Sequence, residues 1–286
     1  MIDAIAALIR SERLPADYRE VVDRFWQPLA DEIARRAAAK HPLVVGINGG
    51  QGSGKTTLCK FLELLLAGDR LRAATLSLDD LYLSRAERVR AAADHHPLFA
   101  TRGVPGTHDV ERGIAILDRL LAGQSADLPI FDKARDEPLS ETRHVKGPVD
   151  VVLFEGWCVG AAPQDAAALS QPVNALERDE DPDGIWRREV NRRLATDYAE
   201  LFGRIDLLVV LKVADFAAVR ANRRLQERKL GAGSAVMDEA ALDRFLAHYQ
   251  RLTQHMFAEI PERADILIDI GRNQRPTRVS TKPQSL

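Results

Sequence analysis

Apolar residues in the first 40 positions recur at helical spacing: Ile5, Leu8 and Ile9, then Val21, Val22, Phe25, Leu29 and Ile33. The spacing predicts an N-terminal helical extension over residues 1–40, packed on a core. Beyond it the pattern becomes short apolar runs at residues 43–47, 74–78, 149–154, 207–211 and 266–270, separated by helical stretches. That alternation predicts an α/β domain over residues 41–272, built on a doubly wound, mainly parallel sheet with helices on both faces. Ligands of such a sheet sit beyond the carboxyl ends of its strands, so the residues that follow each run are the candidates for chemistry. Two segments, 84–109 and 161–188, are long, polar and punctuated by Gly and Pro, as expected of insertions or substrate-covering loops. Residues 273–286 carry no periodicity and are expected to form a flexible tail.

Directly after the first run stands Gly49-Gly50-Gln51-Gly52-Ser53-Gly54-Lys55-Thr56, followed by Thr57 and a helical stretch. This is a complete G-x-x-x-x-G-K-[ST] phosphate loop in its strand-loop-helix context. Glycines let backbone N–H groups point inward, and the next helix offers its positive end to the same anion. Lys55 is expected on the β/γ-phosphates and the Thr56 hydroxyl on Mg²⁺, so the chain is expected to bind ATP with Mg²⁺.

Composition narrows the partners. With a net charge of −2 and 29% charged residues, the chain lacks the positive field of a nucleic-acid binder. Cys59 and Cys158 are far apart and lack metal-ligand spacing, which points to a reducing compartment. No apolar run approaches the ~20 residues that span a bilayer, and Met1-Ile2-Asp3 begins with an acid and no basic n-region, so no signal peptide is expected. A cytoplasmic protein with no membrane or nucleic-acid partner is expected; the oligomeric state is left open.

Carboxylates follow two of the strands. Asp79 and Asp80 stand after the second run, where a carboxylate accepts a proton from a hydroxyl that attacks the γ-phosphate. One of the two is expected to be a turn or capping residue, and Asp79 is taken as the base. Glu155 ends the third run and is expected to hold Mg²⁺ directly or through water. After the fourth run, Arg220, Arg223, Arg224, Arg228 and Lys229 crowd one helical stretch. They read either as a solvated face or as a lid that clamps a moving phosphoryl group with Arg220, Arg224 and Arg228.

These residues resemble the phosphoribulokinase/uridine kinase/pantothenate kinase group of P-loop kinases, and within it the D-glycerate 3-kinase branch. The resemblance runs over residues 42–272. Asp79-Asp80-Leu81-Tyr82 is similar to the segment that holds the catalytic aspartate of uridine-kinase-like enzymes, and Phe131-Asp132-Lys133 to their Tyr-Asp substrate segment. The branch is marked by residues 102–109 (Arg-Gly-Val-Pro-Gly-Thr-His-Asp), Pro129-Ile130 before Phe131, Glu155-Gly156-Trp157, Asn174-Ala175-Leu176-Glu177, Trp186-Arg187 and Arg224-Leu225-Gln226-Glu227. Cys158 and residues 134–137 depart from the branch, in segments expected to line the acceptor pocket.

The resemblance implies a P-loop kinase fold with a helical lid, and an ATP- and Mg²⁺-dependent transfer to a hydroxyl of a small polar metabolite, D-glycerate first. Pantothenate, a nucleoside or a sugar phosphate is the alternative acceptor, and a nucleotide-switch ATPase the alternative class. A hydroxy acid needs a cation for its carboxylate and polar partners for its hydroxyls. The matching segments offer Asp79, Tyr82, Arg102, His108, Asp109, Asp132, Lys133 and Trp157. Of these, His108 reads equally as a structural histidine and Trp157 as a core residue.

Overall fold

A computed structural model describes residues 2–230 and 238–282, with side chains except at 226–230. The N-terminal segment forms α1 (Ile2–Ser11), α2 (Tyr18–Val21), a π-helical turn over Val22–Trp26 and α3 (Gln27–Ala39). The helices bury the residues that their spacing selects, among them Ile5, Ile9, Val22, Phe25 and Ile33.

The core then alternates strand and helix. β1 (Leu43–Gly49) leads into α4 (Lys55–Gly68) and β2 (Ala73–Ser77). The first insertion carries α5 (Arg85–Asp94) and ends in α6 (Val110–Leu121), and β3 (Ala126–Asp132) and β4 (Glu137–Val145) form a separate antiparallel hairpin. The chain returns through β5 (Val151–Gly156), α7 (Ala175–Glu180), α8 (Ile185–Ala195) and α9 (Asp197–Phe202) to β6 (Leu207–Lys212). It closes with α10 (Phe216–Leu230), α11 (Glu239–Arg263), β7 (Ile266–Ile270) and β8 (Pro276–Thr281).

Among the described residues the main sheet has six strands in the order β2-β5-β1-β6-β7-β8, parallel except for the β7–β8 pair. β8 corrects the expectation of a flexible tail over 273–286. Its Thr, Arg and Ser side chains are exposed, so an edge strand here shows no apolar period; backbone pairing with β7 holds it instead.

Both faces of the sheet are covered, which is why its strands read as continuous apolar runs. Val45, Ile47, Val151, Leu153 and Val209 pack under α3 and α4, while Val44, Val152, Phe154 and Leu208 pack under α6, α9 and α11. Each fully buried aliphatic side chain contributes roughly 1.5–3 kcal/mol, so this two-sided core holds the strand ends rigidly. No helix among the described residues is long and apolar enough to cross a membrane.

The second insertion is anchored by charge. Glu177 of α7, fully buried, accepts from Arg251 Nε and Nη2 of α11 at 2.7 Å each. Arg187 of α8, 3% exposed, donates to Asp181 at 3.0 Å. The segments Asn174-Ala175-Leu176-Glu177 and Trp186-Arg187 are thus scaffold, seated on α11. Removing one partner of a buried pair strands the other charge, whereas replacing both with apolar groups does not. Glu177→Ala is therefore expected to lower stability by about 3–5 kcal/mol in denaturant titration, and Glu177→Leu with Arg251→Met to recover most of it. A single variant within about 0.5 kcal/mol of wild type, the usual range of a surface change, would contradict this anchoring.

Candidate active site

The carboxyl ends of β1, β2 and β5 open into one cleft of about 210 Å³. Its floor is the loop between β1 and α4, with Gln51, Gly52, Gly54, Lys55, Thr56 and Thr57 on the lining. Gly52 and Gly54 lie at φ +74° and +94°, where L side chains are strained, and Gly54 caps the N-terminus of α4. A Cβ on Gly52 would also come within 2.7 Å of Asn222 Cβ. Gly49, Gly50 and Ser53 stand behind the lining: Ser53 is buried, and a Cβ on Gly49 would come within 2.5 Å of its hydroxyl. Lys55 Nζ donates to the Gly49 carbonyl at 2.8 Å, which holds the ammonium over the loop.

Glu155, 5% exposed at the end of β5, joins three elements. Its Oε1 accepts from the Thr56 hydroxyl at 3.0 Å and from the Ser77 hydroxyl at 3.1 Å. Thr56 and Glu155 thus present hard oxygen donors side by side, the set that suits Mg²⁺.

After β2 the 3-10 turn Leu78–Leu81 sends the two aspartates different ways. Asp79 lines the cleft; its Oδ2 accepts from Lys133 Nζ at 2.5 Å and its Oδ1 from the Tyr82 hydroxyl at 3.2 Å. Asp80 turns away to accept from Phe131 N–H at 3.1 Å, pinning β3 to the turn. Burial raises the Asp80 carboxyl above its ordinary value. Burial acts on Asp79 too, but the Lys133 ammonium outweighs it and lowers its pKa from 3.8 to about 2. Arg102, Tyr82 and Trp157 complete this side of the lining. The Trp157 indole N–H donates to Gly103 O at 3.0 Å, so the ring is both wall and clamp.

Several expected residues lie elsewhere. His108 sits behind the lining, stacked on Tyr82 with Nδ1 2.5 Å from the Tyr198 hydroxyl; burial lowers its pKa to about 3 and keeps it neutral. Asp109 accepts from Arg112 N–H at 3.0 Å as the N-cap of α6. Asp132 accepts from the N–H groups of Ala134 and Arg135 in the hairpin turn. On α10, Arg220 pairs with Asp243 and Arg224 with Glu239, away from the lining. The Arg228 side chain lies outside the described residues.

The cleft is closed by Arg223, Phe245 and Tyr249 instead. Helical period marks Arg223: Val219 is buried at 2%, and the positions three and four residues on are Asn222 and Arg223, not Arg220 or Arg224. Arg223 stacks its guanidinium 5.3 Å from the Phe245 ring centre. Phe245 and Tyr249 share one face of α11 at i, i+4 spacing.

Because the folded-state pKa of Asp79 lies below its unfolded value, the Asp79–Lys133 pair adds stability that is present above pH about 4 and lost as pH falls towards 2. Lys133→Met leaves burial unopposed by the ammonium. In a ¹³C NMR titration the Asp79 carboxyl is expected to stay ionised at pH 4 in wild type and to titrate at distinctly higher pH in Lys133→Met. Superimposable titrations would show that Lys133 does not set this charge.

Comparison with known proteins completes the description. No family model matches the chain. The uncharacterized kinase mug58 of Schizosaccharomyces pombe is 34% identical over 232 residues, which are 76% of this chain and 80% of that protein. The chloroplastic D-glycerate 3-kinase of Arabidopsis thaliana is 31% identical over 258 residues, 82% of this chain; the chain spans 54% of the plant protein. Among solved structures, a D-glycerate 3-kinase from Cryptococcus neoformans superposes with a TM-score of 0.74 at 26% identity, over 90% of this chain and 99% of that one.

Proposed function

This chain belongs to the D-glycerate 3-kinase-like branch of the phosphoribulokinase/uridine kinase/pantothenate kinase group of P-loop kinases, and from that membership we propose that it phosphorylates a hydroxyl of D-glycerate with ATP and Mg²⁺. The observation that carries this reading is that an ionised carboxylate, Asp79, shares one small cleft with Lys55 and Thr56 on the phosphate side and with Arg102 and Lys133 on the other. Anions fit both ends.

In this reading the loop N–H groups and Lys55 hold the β- and γ-phosphates, and Arg223 faces the transferred group from α10. Thr56 and Glu155 would hold Mg²⁺, which would supply positive charge against the phosphate oxygens. The acceptor carboxylate lies against Arg102 and Lys133, with its hydroxyl at Asp79. The hydroxyl oxygen bonds to the γ-phosphorus, the bond to the bridging oxygen breaks, ADP leaves, and the hydroxyl proton passes to Asp79. A carboxyl with a pKa of about 2 is a poor base for an alcohol. Sharing Lys133 with the acceptor carboxylate raises that basicity as the substrate arrives, and a loose transition state asks for the proton late.

A coupled assay of ADP release over D-glycerate, uridine, pantothenate and ribulose 5-phosphate tests the reading. Strong stimulation by D-glycerate alone is expected: neutral uridine leaves the cations of the cleft unpaired, which can cost orders of magnitude, and pantothenate and ribulose 5-phosphate, though anionic, are bulkier than a three-carbon acid. Lys55→Ala should abolish turnover, and Asp79→Asn should lower kcat by about 10²-fold or more with little change in ATP affinity. Equal turnover of uridine and glycerate refutes the acceptor. ADP release that ignores every acceptor refutes the transfer reaction.

A further inference from the structure

Arg102 is held from four sides. Its Nη1 pairs with Asp136, and its Nη2 donates to Lys133 O at 3.3 Å. The guanidinium lies 5.6 Å from the Phe131 ring centre. Its backbone is fixed as well: Tyr249 donates its hydroxyl to Arg102 O at 3.2 Å, and Trp157 to Gly103 O at 3.0 Å. Gly103 itself lies at φ +143°, where a Cβ would come within 2.2 Å of the Tyr249 oxygen.

Asp136 is the unexpected member of this set. It ends the β3–β4 turn at φ +60°, a left-handed conformation that Asp and Asn tolerate better than most residues. Its other oxygen accepts from Arg88 Nη2 at 2.6 Å, and Arg88 is 1% exposed. Burial raises the Asp136 carboxyl and its two arginines lower it more, so that it stays ionised. One carboxylate therefore faces two guanidiniums. The trio keeps one positive charge, and of the three residues only Arg102 lines the cleft.

We infer that Asp136 is a positioning residue that aims Arg102 at the acceptor carboxylate and so makes the site selective for anionic acceptors, with Arg88 as the buried countercharge that keeps Asp136 from neutralising Arg102. The inference rests on the reading of the acceptor as a small carboxylate. Asp136 touches no substrate in this scheme; it acts through Arg102.

The test is a double-mutant cycle over Arg88→Met and Asp136→Asn, read by KM for D-glycerate, KM for ATP, kcat and melting temperature. Asn suits the left-handed turn, so Asp136→Asn changes charge with little strain. It is expected to raise KM for D-glycerate on the order of 10- to 100-fold, the worth of a charge-assisted contact, with KM for ATP unchanged. It also leaves Arg88 buried without its countercharge, so the melting temperature falls. The variant with both changes is expected to regain the melting temperature but to keep the raised KM. Recovery of KM along with stability would overturn the inference, since Asp136 would then serve only to balance Arg88. An unchanged KM in Asp136→Asn would overturn it as well. A wild-type enzyme that ignores D-glycerate overturns the acceptor reading and this inference together, whereas a responsive wild type with an indifferent variant overturns this inference alone.

Discussion

The ion pair between Asp79 and Lys133 is the contact that joins the β2 edge of the cleft to the β3–β4 hairpin. Asp79 belongs to the turn after β2, at the edge of the rigid sheet, and Lys133 to the turn of a hairpin that pairs with no strand of that sheet. β4 is largely exposed, and the hairpin joins the apolar core through buried Ala126 and Leu128 of β3 and Val145 at the end of β4. The bond from Phe131 N–H to Asp80 and the Arg88–Asp136–Arg102 set reinforce the same junction. Charge thus does two jobs here: it ties the hairpin turn to the strand end, and it keeps the paired groups ionised.

The same division runs through the rest of the fold. A two-sided apolar core fixes the strand ends, where Gly49, Glu155 and Ser77 need defined positions. The segments laid over that core share a small apolar cluster, Leu98, Phe99, Val104, Leu176, Trp186 and Val190, and a buried ion pair, Glu177 with Arg251, adds direction to it. A buried pair adds little net stability over an apolar one, yet it tolerates no other partner. That suits segments which must take one register.

What could be read from the chain follows from how local each signal is. The phosphate loop is a contiguous stretch whose strand, turn and helix are neighbours in sequence, so its cleft-lining members, Gln51, Gly52 and Gly54 to Thr57, were legible at once. Parallel strands buried on both faces leave apolar runs, and all five were visible. The hairpin was not, because Pro129 and the charged residues Asp132, Lys133, Arg135, Asp136 and Glu137 mask its period, although its Phe131 and Lys133 stood out. β8 has no buried face to show beyond Pro276. Asp109 and Asp132 carry side chains suited to ligands but spend them on backbone N–H groups, a fate that residue type cannot announce. Arg223 was passed over for Arg220 and Arg224 because a basic cluster says nothing of direction until Val219 fixes the helix face.

The central claim is that Asp79 receives the acceptor hydroxyl while Lys133 is shared with the acceptor carboxylate. A crystal structure with D-glycerate, Mg²⁺ and a non-hydrolysable ATP analogue measures this directly. The account predicts a glycerate hydroxyl within about 2.6–3.2 Å of an Asp79 carboxylate oxygen and facing the γ-phosphate, with the glycerate carboxylate against Lys133 Nζ and the Arg102 guanidinium. A hydroxyl bonded to Asp80 instead, or a glycerate carboxylate remote from both cations, would contradict it.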